Sequence, residues 1–267
     1  MSASDLTAKP EPLRFGTIII VSGGCYGSYY HRQLQRAARA GAIVVDKLLV
    51  VDHDPNCAVA ALIVAPPEPA PIPTELRVVD CHVFMREYLT DAALHPEGVS
   101  HDAIVPSPLM PHLIGEWIVN RARERSGDAV TTRPFDRVPT VPWERAGDDG
   151  THYVSFATWM CPINCIEPRI CPHTKGERTW TMPAALDTYA RQMEDAGAPI
   201  EIAVLQCTHR AYGVGMIDTA DVVAADARIR DTALRGGGEV VIGTVSHCHG
   251  ALTRLLLGPG ATTAVPR

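Results

Sequence analysis

The chain alternates short, unbroken apolar runs with segments whose apolar residues recur at helical spacing. Residues 15–22 (FGTIIIVS), 47–52 (KLLVVD), 76–81 (LRVVDC), 103–106, 151–158, 200–206 (IEIAVLQ) and 239–245 (EVVIGTV) read as strands. Continuous β-branched runs suit strands buried on both faces of a parallel sheet. Residues 28–41, 54–65, 82–94, 109–125, 184–197, 218–235 and 250–257 read as helices, several with a glycine or proline at a boundary. Regular alternation of the two predicts an α/β fold with one mainly parallel sheet of about seven strands and helices on both faces.

Three segments fall outside either period. Residues 66–75 (PPEPAPIPTE) carry five prolines and must run extended over the surface. Residues 127–150 are charged, interrupted by proline and aperiodic, which predicts a long connecting loop that covers a site or merely joins elements. Residues 160–183 (MCPINCIEPRICPHTKGERTWTMP) place Cys161, Cys165 and Cys171 within eleven residues.

That cysteine-rich loop carries the most chemistry. Thiolates select zinc, copper(I) and iron-sulfur clusters over hard cations. A structural zinc site usually opens with a C-x2-4-C pair and closes with a second pair, whereas the spacing here is C-x3-C-x5-C, with His173 as the one local nitrogen ligand. Cysteine runs that bind clusters are commonly followed by proline, as Cys161 and Cys171 are. A [4Fe-4S] cluster on Cys161, Cys165 and Cys171 is the reading preferred. Zinc, a redox pair and ordinary cysteines stay open beside it, and so does the fourth ligand, either an open iron or a cysteine from elsewhere. The spacing differs from the radical-SAM C-x3-C-x2-C pattern, so that chemistry is not carried over.

The glycine turn after the first strand, Ser22-Gly23-Gly24-Cys25-Tyr26-Gly27, leads into a helix, and the next strand ends in Asp52. Glycines allow a tight turn, and a helix N-terminus offers N–H groups to an anion. This stretch resembles a Rossmann-type dinucleotide-binding unit over roughly the first 60 residues, with Ser22 where the family has its first glycine. The resemblance implies that Gly23, Gly24 and Gly27 would cradle a pyrophosphate, that Asp52 would meet a ribose, and that the cofactor would be NAD(P). SAM-dependent methyltransferases share the layout, and a plain packing turn is the bland alternative. On this reading residues 1–14 are a flexible arm, and 15–267 form a single α/β domain. Its Rossmann-like half is 15–126, its connecting loop 127–150 and its cysteine-loop half 151–267.

The other cysteines sharpen the expectation. Cys25, Cys81, Cys207 and Cys248 follow predicted strands, and open α/β sheets bind ligands at the carboxyl ends of their strands. Cys57 falls inside a predicted helix as a small core residue. Cys207 and Cys248, with His249 beside the latter, combine thiol and imidazole as candidate catalytic groups. Lys175 and Arg178 stand ready to neutralise an anion.

Composition narrows the partners. The net charge is -6, from 24 basic and 30 acidic residues, and the longest basic cluster is the RARER run at residues 121–125. Nucleic acid is therefore not an expected partner. The N-terminus lacks an apolar signal core, and no run approaches the roughly 18 apolar residues of a membrane span. Eight cysteines in a chain placed in the cytoplasm argue for metal or catalysis over disulfides. The expectation is an iron-sulfur oxidoreductase acting on a small molecule, served by a redox partner protein. A non-catalytic electron-transfer or assembly subunit and a zinc-stabilised SAM-dependent methyltransferase are the alternatives.

Overall fold

The apolar runs at the N-terminal end form the middle of a first sheet, because each is buried from both sides. The computed structural model describes residues 11–157 and 161–258. Residues 1–10 of the predicted arm, and the end of the strand predicted at 151–158, lie outside the described residues.

β1 (Leu13–Val21) pairs in parallel with β2 (Ile43–Asp52) on one side and β4 (Ala103–Val105) on the other, and β3 (Thr74–Val78) extends the sheet beyond β2. The opposite edge is antiparallel. A tight hairpin, β9 (Thr208–Ala211) and β10 (Val214–Asp218), joins at β4 and gives the order β3-β2-β1-β4-β10-β9. Its turn is Tyr212-Gly213, both at positive φ of 49° and 77°, the backbone that favours a two-residue hairpin.

A second six-stranded sheet has the order β6-β7-β12-β11-β8, with β5 pairing to β12. Its members are β5 (Val130–Arg133), β6 (Trp143–Ala146), β7 (His152–Ser155), β8 (Ile200–Gln206), β11 (Gly238–Val245) and β12 (His249–Leu257). Only β8 and β11 are parallel; the rest of this sheet is antiparallel.

Three expectations are corrected by this architecture. The single, mainly parallel sheet of about seven strands is instead two mixed sheets holding twelve strands among the described residues. Residues 250–257 are not a helix but most of β12. Their leucines satisfy helical spacing, yet pairing to β11 and β7 buries both faces of the strand, and that packing overrides local preference. The connecting loop at 127–150 likewise contains β5 and β6.

Helices fill three layers. α1 (Cys25–Arg39) and α2 (Ala58–Val64) cover the outer face of the first sheet, where Leu34, Ala37 and Val59 pack on Ile18, Ile20, Leu48 and Val50. α3 (Cys81–Leu94), α4 (Leu113–Ser126) and α6 (Thr219–Leu234) lie between the two sheets. There Met85, Leu89, Trp117, Ile118, Val222 and Ile229 share one core with Ile19, Val51 and Ile104 from the first sheet and Leu205, Val240, Ile242 and Leu255 from the second. α5 (Met182–Asp195) covers the far face of the second sheet through Met182, Leu186 and Tyr189. At about 25 cal/mol per Å² of buried apolar surface, the doubly covered central layer is the chief source of stability.

Two polar fasteners hold the layers in register. Asp102, just before β4, accepts Thr17 N–H at 2.7 Å and the Tyr88 hydroxyl at 3.0 Å, which ties β1 to α3. Arg254, in β12 and 7% exposed, donates to Glu239 at 2.7 Å and Asp136 at 2.9 Å. A buried guanidinium needs that satisfaction, since removing its partners would strand a charge.

Candidate metal and substrate basin

The cysteine loop folds against the β11–β12 turn through its own hydrogen bonds. Cys165 N–H donates to Pro162 O at 2.8 Å, Cys171 N–H to Gly176 O at 2.9 Å and Arg178 N–H to Arg169 O at 2.8 Å. Residues 169–178 thus close as a small hairpin with a bridge between Ile170 and Glu177. Two further bonds fasten the loop to the turn: Met182 N–H donates to His247 O at 2.8 Å, and His247 N–H to Glu167 Oε1 at 3.0 Å.

Between the loop, the first turns of α1 and the β9–β10 hairpin lies a cavity of about 200 Å³. Cys161, Cys165, Cys171, Cys207, Cys248 and His249 all line it. The fold therefore brings together the three loop cysteines and the candidate catalytic Cys207, Cys248 and His249, from loop, strand end and turn, while His173, the local nitrogen ligand, is exposed and does not line the cavity. Cys25 is exposed at the start of α1, while Cys57 and Cys81 are buried at the starts of α2 and α3; none of the three lines the cavity.

Four sulfurs surround Arg178. Its Nε donates to Cys248 Sγ at 3.2 Å, and its positive charge is strengthened by Cys248, Cys171 and Cys165. Burial, and then the neighbouring Cys165, Cys248 and Cys171, push the Cys161 thiol up to about 11. Cys171 goes the other way. Burial opposes its ionisation, but the Thr174 N–H and hydroxyl, the His173 N–H and Arg178 outweigh that and hold it below the ordinary thiol value. Donors aimed at a sulfur are what a bound thiolate uses.

The same cavity carries acid-base groups. His209 Nδ1 and Glu167 Oε2 are 3.1 Å apart, and His249 Nδ1 and Ser155 Oγ are 2.9 Å apart. Glu167 is partly buried, but its bond to His209, then the His209 charge, the Ser246 hydroxyl and His247, keep it below the usual carboxylate range. An ionised Glu167 makes His209 Nδ1 the donor, which leaves Nε2 as the working nitrogen. Burial lowers His249, with Glu167 partly opposing and Arg178 adding to the effect, so this imidazole is neutral at pH 7. Cys207 is pushed up to about 12 by burial and then by Glu167. It is a protonated thiol at neutral pH and a poor nucleophile.

Glu167 and Ser155 were not singled out from the sequence. Each acts on a partner far along the chain, 42 and 94 residues away, so no local spacing announces it. Glu167 does sit at φ 54°, an unusual backbone for a non-glycine residue, but only the fold reveals that.

The glycine turn lies at the rim. Tyr26 and Tyr30 of α1 line the cavity. Asp52 faces back into the turn: Oδ2 accepts Gly23 N–H at 2.7 Å and the Ser22 hydroxyl at 3.1 Å, and Oδ1 accepts Asp54 N–H at 2.9 Å. Burial would raise its pKa, but these bonds prevail and hold it low. A Cβ on Gly23 would meet Cys57 Sγ at 2.5 Å, and one on Gly27 would meet Ser22 O at 1.8 Å. Both glycines are therefore demanded by packing, whereas a Cβ on Gly24 would meet nothing closer than Ser22 Oγ at 3.6 Å.

Away from the cavity, among the described residues, one set of three ligand-type side chains has its atoms within 4.8 Å of one another: His82, His112 and Glu116. His82 and Glu116 are 3.1 Å apart and pair α3 with α4. No described helix is long and apolar enough to cross a membrane.

Residues 114–258 match the AF_1314_C family, described as "Uncharacterized protein, C-terminal domain". No curated protein and no solved structure matches the chain.

Proposed function

Because the chain belongs to the AF_1314_C family, whose matched segment supplies all five cavity cysteines, we propose that this segment is the working part of an iron-sulfur oxidoreductase. On this reading Cys161, Cys165 and Cys171 hold a [4Fe-4S] cluster, and a small molecule reacts beside it. The observation that carries the proposal is the convergence of two kinds of group on one cavity. One is the three loop thiols around Arg178, and the other is the two imidazoles held by Glu167 and Ser155.

The two kinds of group divide the chemistry. A cluster held by these cysteines would supply one-electron transfer, and His209, its Nδ1 fixed by Glu167, would give one proton per electron and be reloaded from solvent between the two. A two-electron reduction of the substrate thus consumes two electrons and two protons. Arg178 offsets the negative charge of the cluster, and hydrogen bonds to the sulfurs raise its potential. A nucleotide of the NAD(P) type fits best with its phosphates at Gly24, which is open and where α1 begins, since the Gly23 N–H is already held by Asp52. Asp52 is already bonded to the turn and is a weaker candidate for the ribose than the resemblance implied.

The test is iron and sulfide analysis of protein purified without oxygen. About four irons and four sulfides per chain are expected, with broad absorbance near roughly 400 nm. Cys165→Ala loses the iron, while Cys57→Ala, outside the cavity, keeps it. A colourless protein with about one zinc and no sulfide overturns the cluster.

A further inference from the structure

We propose that Cys248 is the fourth thiolate of the same centre, so that the cluster is closed by protein and no iron is left for substrate. This rests on the cluster reading above. Cys248 stands on the β11–β12 turn, 3% exposed, and lines the cavity with the three loop cysteines.

The surroundings of Cys248 suit an anionic sulfur. Arg178 Nε donates to it at 3.2 Å. The indole N–H of Trp180 lies against the same sulfur, and that nitrogen is buried with no partner at hydrogen-bond distance among the described residues. A neutral thiol is a weak acceptor, and a buried N–H without a full partner is unfavourable. A metal-bound thiolate at Cys248 gives both donors a charged acceptor.

The turn is also rigid enough to serve as the fixed ligand. Ser246 Oγ accepts the N–H groups of Cys248 and His249, both at 3.2 Å, and Phe156 N–H donates to Cys248 O at 2.9 Å. Three ligands on a loop and one on a strand turn would clamp the centre between them.

A tetrahedral zinc with bonds of about 2.3 Å needs its sulfurs about 3.8 Å apart, whereas each thiolate of a four-iron cluster sits on its own iron and stands further from the next, so metal and sulfide analysis separates the two. The other cavity thiol, Cys207, sits between β8 and β9 with its sulfur packed on Gly215, where a Cβ would stand 2.6 Å from it. Cys25 lies outside the cavity.

A closed cluster passes electrons and binds nothing. Substrate then belongs at the imidazoles, and Cys248 is a ligand, not a nucleophile.

The experiment is anaerobic reconstitution of the full chain with iron and sulfide, then metal analysis and paramagnetic resonance after mild oxidation. Wild type and Cys207→Ala are expected to hold about four irons, and Cys248→Ala to fall to about three or lose the cluster. Cys248→Ser, with an oxygen ligand, should keep iron but show a shifted reduction potential, which guards against a misfolded alanine variant. Four irons and a wild-type spectrum in Cys248→Ala, or iron loss in Cys207→Ala instead, overturns the fourth-ligand assignment alone. Wild type without iron overturns the cluster and this assignment together.

Discussion

The two oxygens of Glu167 serve different parts of the molecule: Oε2 holds His209 Nδ1 at 3.1 Å, and Oε1 takes the N–H of His247 at 3.0 Å. One carboxylate therefore orients an imidazole on the first sheet and pins the turn of the second. Its own place in the cysteine loop makes it the hub through which the two sets of cavity groups are kept in register.

Removing that hub should be costly. Hydrogen bonds to a charged group are each worth about 1.5–3 kcal/mol, so Glu167→Ala is expected to lower stability by about 3 kcal/mol and to raise amide exchange at residues 246–249. Glu167→Gln keeps acceptor capacity on one side and should lose about half as much. Urea unfolding with hydrogen exchange measures both, and equal losses in the two variants would refute the hub.

The glycine turn separates two roles that sequence alone leaves fused. Gly27→Ala puts a Cβ 1.8 Å from Ser22 O and should cost several kcal/mol, or prevent folding. Gly24→Ala meets nothing under 3.6 Å and should change stability by less than about 0.5 kcal/mol. If the turn binds a phosphate, Gly24→Ala still weakens NAD(P) binding by calorimetry. Unchanged binding, or none in wild type, reduces the turn to packing.

Legibility followed the reach of each signal. The strands at 15–22, 47–52, 200–206 and 239–245 announce themselves because both of their faces are apolar, and all four are strands in the structure. The residues GALTRLLL misled, because leucines at helical spacing also fill a central strand, and the decision lies in a partner strand that spacing cannot see. The Tyr212-Gly213 hairpin has a glycine in its turn, but its strands are only four and five residues long and give no run for spacing to show. Cysteine convergence was visible as thiols following strands. It emerges from two sheets and a loop, and not from one sheet edge. Glu167 and Ser155 were invisible because a lone polar residue in a loop or strand says nothing of its partner.

Arg254 tests the corrected strand directly. As part of β12 it is 7% exposed and bound to Glu239 and Asp136. Arg254→Ala leaves Glu239 without its counter-charge and is expected to cost about 3–5 kcal/mol. On a solvated helix the same change would cost under about 0.5 kcal/mol, and a loss that small, read by thermal unfolding, would reject the strand placement.

His31 gives the fold a pH dependence. Burial, and then the charge of Arg32, lower it from 6.5 to about 4, with Nε2 bonded to Thr74 Oγ1 at 3.0 Å and Nδ1 buried without a partner. The unfolded chain binds the proton more tightly than the folded one, so stability is full above pH 6.5 and falls as pH drops toward 4. The loss reaches about 3 kcal/mol once both states are protonated. His31→Gln should abolish that part of the slope between pH 6.5 and 4. A slope identical to wild type would locate the titration elsewhere.

If the cysteine loop holds a metal as proposed, removing it should leave the fold standing. The three apolar clusters that build the sheets and helices contain no residue between 161 and 178, so the loop adds nothing to the main cores. Small zinc domains unfold without metal because the ligand bonds are their core, and that condition is absent here. Chelated or oxidised protein is therefore expected to keep its far-ultraviolet dichroism. Two changes should accompany the loss: a lower melting temperature, because ligand binding to the folded state alone is lost, and faster proteolysis confined to the cysteine loop. Cooperative loss of the sheets with the metal would mean that the loop is structural, and the cavity would then have to be read as a scaffold and not as a site.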